Sequence, residues 1–353
     1  NRIEELGMKF GLWIEPEMVN KDSDLYRKHP DWILQTPGRR VSHGRYQYVL
    51  DFSRKEIVDY IYVMIAKLLS ESNISYIKWD MNRSITECYS IAYPADQQGE
   101  IFHRYILGVY DLYERLTSAF PEVLFESCAS GGGRFDPGML YYAPQGWVSD
   151  DSDAVERLKI QYGTSMCYPL SSMGSHVSVI PNHQVFRNTP LHTRANVAYF
   201  GTFGYELDLN KLSDAEIEEV KAQIRFMKEY RELLQFGTFY RLKSPFDGNE
   251  TVWMVVSEDK SKALVGYYRV LNGVNLPYSC VKLQGLDPDK LYENELANTE
   301  HYGDELMNLG LITTDVSAGE VPQGAEPCTD FESRIYLLKE KQSRCIGAET
   351  VSK

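Results

Sequence analysis

Cysteine is scarce in this chain. Six residues in 353 (Cys88, Cys128, Cys167, Cys280, Cys328 and Cys345), none two or three positions from another, exclude both a disulfide scaffold and a zinc clip. No run of 18 apolar residues is free of charge; the best, Ile57–Leu69, is broken by Asp59 and Lys67, so no membrane span is expected. Positive charge is in deficit, 37 basic against 50 acidic residues, a net of −13, which argues against nucleic acid as a partner. The seven histidines form neither His-x-His nor His-Glu-x-x-His, and no metal or cofactor is expected. The Gly-x-Ser-x-Gly elbow, the phosphate-binding loop and the full dinucleotide fingerprint are missing too. The first residues, NRIEELGMKF, have neither a start Met nor the form of a signal peptide; Ile3, Leu6 and Gly7 read as the last turn of a helix. The chain is expected to open in the middle of a fold and to work in a reducing, cytoplasmic setting.

What is present is strand–helix alternation. Strands are expected at Met8–Glu15, Tyr76–Asn82, Leu124–Ala129 and Gly146–Ser149, with weaker ones at Ser175–Ile180 and Phe203–Leu207. Helices are expected at Lys55–Ser70, Ile101–Phe120, Ala154–Met166, Leu191–Phe200 and Asp214–Gln235. This is an α/β pattern of about six units, compatible with an open sheet or with an incomplete (β/α)8 barrel. After Gly237 the pattern turns β-rich, with strands expected at Thr238–Leu242, Thr251–Ser257, Ala263–Val270, Tyr278–Gln284, Leu306–Thr313 and Arg334–Leu338. The expected organisation is a barrel over 1–240, an antiparallel β-sandwich-like domain over 241–340 and a polar tail over 341–353.

Sites in parallel α/β folds gather at the carboxyl ends of strands. In YIKWDMNR, alternation puts Lys78, Asp80 and Asn82 on one face, and Ile77, Trp79 and Met81 on the other. Lys78 is expected to pair with Asp80 and keep it ionised, as suits a nucleophile. In WVSDDSD, Ser152 or Asp151 suffices to cap the following helix, which leaves one of the carboxylates of Asp150–Asp153 to face the strand ends. In ESCASGGGR, glycines let the backbone approach a ligand or simply make a tight turn, and Cys128 has no adjacent His base. Trp13 in GLWIEPE is either a stacking platform or a core aromatic, Glu15 and Glu17 either acids or solvated, and Arg45 a candidate fork for hydroxyls. Two strand-end carboxylates without a metal motif are what glycoside hydrolysis requires.

These segments carry a family resemblance. GLWIEPEMVN, YVLDFSR, YIKWDMNR, ESCASGGGRFDPGM and SDDSDAVERLKIQYG together resemble the bacterial α-galactosidases of glycoside hydrolase family 36, over nearly the whole chain. The resemblance implies a (β/α)8 barrel followed by an antiparallel β domain, and retaining hydrolysis of terminal α-galactosides such as melibiose and raffinose. It implies Asp80 as nucleophile and Asp150 as acid/base, with Trp13, Arg45, Lys78, Trp79, Asn82, Cys128 and Gly131 as substrate-binding residues. No cofactor is implied, and a homotetramer is. The family's large leading β-sandwich and first two barrel strands have no counterpart here, so an N-terminally truncated piece with little activity of its own is expected. Retention requires the two carboxyls roughly 5–5.5 Å apart, and burial or the charge on Asp80 is expected to raise the pKa of Asp150. The alternatives are a galactosyl transferase or an α-N-acetylgalactosaminidase of the same family, and a sugar-binding fragment without catalysis. A metal-dependent barrel hydrolase would need chelator-sensitive chemistry.

Overall fold

The computed structural model of the chain describes residues 2–274, 279–313 and 330–341. The chain divides into two compact units, Asn1–Asp150 and Asp151–Lys353.

The first unit contains α1 (Arg2–Glu5), β1 (Phe10–Ile14), β2 (Met18–Asn20), α2 (Asp24–Lys28), β3 (Gln47–Val49), α3 (Lys55–Glu71), β4 (Ile74–Trp79), α4 (Ile101–Ala119), β5 (Leu124–Ser127), α5 (Pro137–Tyr142) and β6 (Gln145–Trp147). Strands β1, β4, β5 and β6 lie side by side and parallel, each joined to the next by a helical crossover. Both long helices are amphipathic. Helix α4 buries Ile101, Tyr105, Val109, Leu112, Tyr113 and Leu116, spaced three and four apart. Helix α3 buries Ile57, Val58, Ile61, Ile65 and Leu69, whereas Met64 and Leu68 face solvent. Between β1 and α3, β2 and β3 pair as an antiparallel ribbon.

The second unit begins with α6 (Ala154–Thr164), β7 (Met173–Ser178), α7 (Leu191–Ala198), β8 (Thr202–Glu206) and α8 (Asp214–Phe236), with β7 and β8 parallel. Helix α8 is fixed at its start by a capping box, in which Ser213 accepts from the Glu216 N–H and Glu216 from the Ser213 N–H. With the first unit's four, these make six parallel strands, about six of the eight β/α units of a (β/α)8 barrel.

An antiparallel sheet follows: β9 (Thr238–Lys243), β10 (Glu250–Val256), β11 (Lys262–Arg269), β12 (Cys280–Val281), β13 (Leu291–Asn294), β14 (Thr299–Tyr302), α9 (Gly303–Asn308), β15 (Leu311–Ile312) and β16 (Glu332–Glu340). Its main sheet runs β14-β13-β16-β11-β10-β9, with β12 and β15 paired apart. Strands β10 and β11 are buried on both faces. Val252, Met254 and Val256 pack with Val265, Leu283 and Leu311, while Trp253, on the opposite face, meets Phe200 at 5.5 Å. Two expectations are corrected here. Leu306–Thr313 is not one strand: acidic Asp304 and Glu305 favour the first turn of α9, and Gly310, at φ +101°, ends it before the two-residue β15. Tyr278–Gln284 contributes only Cys280–Val281 as strand, and Tyr278, like residues 342–353 of the polar tail, lies outside the described residues. The hairpin β13–β14 has no counterpart in the sequence reading, because LYENELANTEHY is too polar to signal strands.

Candidate active site

In a parallel sheet, residues in register share a face, and the register here aligns Trp13 with Lys78, Lys78 with Glu126, and Glu126 with Gln145. This row crosses β1, β4 and β5 close to their carboxyl ends and meets β6 at its first residue. Asp80 lies just beyond β4, with its N–H donated to the Ile14 carbonyl at 2.9 Å.

Asp80 is 6% exposed and surrounded by neutral donors. Oδ2 accepts from Trp13 Nε1 at 3.1 Å and from Asn82 Nδ2 at 2.6 Å, and Oδ1 accepts from the Met81 N–H at 2.8 Å and the Ser130 N–H at 3.4 Å. Burial pushes this carboxyl up. The hydrogen bonds from the Cys128 thiol, Asn82, Trp13 and the Met81 N–H outweigh it and hold the pKa below the ordinary aspartate value. Cys128 itself is driven far up by burial and by the Asp80 charge, so it stays a protonated donor and is no thiolate nucleophile.

Lys78 does not pair with Asp80, contrary to expectation. Its ammonium lies 3.1 Å from Glu126 Oε1 on the neighbouring strand and 4.4 Å from the centre of the Trp147 ring. The in-register cross-strand carboxylate wins over the one two positions along the chain. Asn82 does meet Asp80, and also donates to Glu15 Oε1 at 2.7 Å. Glu15 in turn accepts from Gln47 at 2.6 Å and stands 3.7 Å from the Arg45 guanidinium. Trp13 is 47% exposed, which rules out the core role, and Arg45 is exposed on a turn where Arg45 and Tyr46 both have positive φ.

Trp79 is corrected. It is fully buried on the far face of β4, donating to Glu17 Oε1 at 2.8 Å and stacked on Tyr113 at 4.0 Å, so it cannot touch a ligand. Glu17, expected as an acid or a solvated residue, is neither: it is fully buried in a two-pronged pair with Arg134, at 3.0 and 2.8 Å.

The glycine loop brings the second carboxylate in. Gly131 has φ +80°, and a Cβ there would stand 2.8 Å from both the Asp150 N and the Ser149 Cα. One residue earlier, Ser130 donates to Asp80, so the loop holds the Asp150 backbone within two residues of the Asp80 carboxylate. Asp150 is exposed and has no hydrogen bond or ion pair among the described residues. In the second unit the cap of α6 is Asp153, which accepts from the Val155 and Glu156 N–H groups, in place of Ser152 or Asp151; Asp151 accepts from the Asp153 N–H at 3.0 Å. Two of the three aspartates are thus committed to backbone.

The sequence reading named Glu15 only as an acid or a solvated residue, and it missed Gln47, Ser130, Trp147 and the Glu126 group. The inward register of Glu126 beside Lys78 was the available signal, but strand pairing is not written locally. The whole arrangement offers one carboxylate, Asp80, with no cation paired to it among the described residues, and a second, Asp150, whose backbone the Gly131 turn holds near the loop that donates to Asp80. A flat indole, an ammonium and a guanidinium flank them. Such a set suits displacement at a sugar's anomeric carbon.

Comparison with known proteins agrees with that class. The melibiase family matches residues 1–237 and the glycosyl hydrolase family 36 C-terminal domain matches residues 250–338. The chain belongs to glycoside hydrolase family 36. It is 56% identical over 341 residues to alpha-galactosidase AgaA of Geobacillus stearothermophilus, covering 97% of this chain and 45% of that protein. It is 51% identical over 337 residues to alpha-galactosidase Mel36A of Lactobacillus acidophilus, covering 96% and 44%. The crystal structure of AgaA superposes with a TM-score of 0.90 at 53% identity, over 96% of this chain and 45% of that one. Variants of AgaA have been solved with raffinose and with stachyose bound. The chain spans about half the length of the curated relatives it matches. Among the described residues, no helix is long and apolar enough to cross a membrane.

Proposed function

We propose that this chain carries the catalytic centre of a retaining α-galactosidase acting on terminal α-galactosyl groups of oligosaccharides such as melibiose and raffinose. The observation that carries the reading is the contrast between Asp80, ionised among neutral donors, and Asp150, unengaged and held beside it by the Gly131 turn. Asp80 Oδ attacks the anomeric carbon while Asp150 protonates the departing glycosidic oxygen; Asp150 then takes a proton from water, which releases galactose from Asp80. The open face of Trp13 stacks on the sugar, and Lys78, Arg45, Asn82 and the Cys128–Gly131 loop contact its hydroxyls. We take 1–240 as the catalytic part, 241–340 as the β domain and 341–353 as a tail. The cytoplasmic setting rests on the sparse cysteines, and a homotetramer of the full-length parent on the family resemblance; light scattering on the full-length parent tests the latter.

The test is covalent. A galactose-configured epoxide should attach to Asp80, as read by peptide mass, and free galactose should protect. A chain that binds galactose but is labelled elsewhere, or not at all, overturns the assignment. An aryl α-galactoside assay measures turnover, which is expected to be low for this chain by itself.

A further inference from the structure

We propose that Glu126 is a positioning residue for the reaction, holding the Lys78 ammonium off Asp80 so that the nucleophile keeps an uncommitted charge. The inference rests on the reading of Asp80 as nucleophile. It begins from alternation, which makes the carboxylate two positions along the default partner of Lys78. A free lysine with an ordinary four-carbon stem beside an ionised aspartate forms a pair, and a paired carboxylate is a poorer nucleophile.

The structure holds the lysine elsewhere. Glu126 is 1% exposed and sits in register with Lys78 on the adjacent strand. Its two oxygens are divided. Oε2 accepts from both the Tyr76 hydroxyl and Gln145 Nε2, while Oε1 has no hydrogen-bond donor among the described residues and lies 3.1 Å from the ammonium. Burial and the Glu126 charge keep the Tyr76 phenol protonated and therefore a donor. Gln145 also donates to the Tyr76 oxygen at 3.2 Å, which fixes the three groups as a unit. On the other side the Trp147 ring covers the ammonium. A fully buried carboxylate costs several kcal/mol unless it is compensated, and this one is compensated by Tyr76 and Lys78 on β4 and by Gln145 on β6. The groups facing Asp80 from around it are then Trp13, Asn82, Cys128 and the Met81 and Ser130 N–H groups, none of them cationic. Beyond that shell stand Glu15, the Arg45 that approaches it, and Asp150.

The test is a carbon-13 NMR titration of the Asp80 carboxyl in the full chain, in wild type, Glu126→Gln, Lys78→Met and the double variant. Lys78→Met should leave the Asp80 midpoint within about 0.5 unit, because the lysine is not its partner. Glu126→Gln should lower it by one unit or more, about tenfold in proton affinity, as the released ammonium turns to Asp80. The double variant should return to the Lys78→Met value. Mere loss of a negative charge would lower the midpoint equally with or without Lys78, and that additivity overturns the proposal, as does a rise of a unit or more in Lys78→Met alone. Should Glu126→Gln fail to fold, Lys78→Met still decides. The titration needs no substrate. Failure of epoxide labelling with these shifts intact sinks the galactosidase reading and with it the role in the reaction, and leaves only the control of Lys78 by Glu126 standing.

Discussion

Two carboxylates stand at the ends of neighbouring strands in the first unit and are treated in opposite ways. Glu17, three residues beyond β1, is fully buried and answered by charge: Arg134 grips both its oxygens, and Trp79 and Tyr105 add neutral donors. Asp80, just beyond β4, is nearly as buried and is answered by neutral donors only. A buried charge neutralised by its own counter-ion has nothing left to offer a substrate. A buried charge stabilised by dipoles keeps its field, and that is what a developing positive anomeric carbon can use. The same logic separates the aspartates after β6: Asp151 and Asp153 are spent on backbone N–H groups, and Asp150 is not.

The contrast can be broken at several points. The largest effect is expected from Asp80→Asn, which should cut epoxide labelling and any turnover by roughly 10⁴-fold or more while changing the urea midpoint little. Loss of fold in that variant would mean that Asp80 is structural in the way Glu17 is. Next, Arg134→Ala should cost about 3–5 kcal/mol in urea unfolding by orphaning Glu17; a loss below about 1 kcal/mol would show that the pair does not hold the core. Gly131→Ala should cost about 2 kcal/mol, since it strains a positive φ and meets the Ser149–Asp150 backbone, and it should slow labelling as well. Unchanged labelling would separate the loop from the placement of Asp150.

The smallest effect is a difference in pH slope. Asp80 is depressed, so its contribution to stability is present above about pH 4, the unfolded value, and fades as pH falls through the folded one. Asp51 is the reverse: burial raises it against the hydrogen bonds of Ser53 and Ser90. Its contribution is full below about pH 4 and is lost as pH rises through the raised value. Urea midpoints measured from pH 3 to 7 should therefore fall less with rising pH in Asp51→Asn than in wild type, and fall less with falling pH in Asp80→Asn. Parallel profiles in either variant would contradict the assigned direction.

Much of this was legible in the chain. Apolar spacing located α3, α4 and α8 to within a residue or two, because the burial of one helical face is a local pattern. The Lys-Trp-Asp-Met-Asn alternation correctly brought Asp80 and Asn82 together. It misassigned Lys78, because a residue's partner in a sheet lies on another strand. Trp79 illustrates the same limit, since proximity in sequence to Asp80 says nothing about which side of β4 its ring enters.

The sequence by itself determined the element types, the strand ends on which chemistry gathers and the identity of the carboxylates available, because hydrophobic period and residue chemistry are properties of short segments. Tertiary structure alone decided which carboxylate is neutralised and which keeps its charge. That depends on register between strands and on close backbone approach at Gly131, and both are fixed only when segments up to fifty residues and more apart pack together.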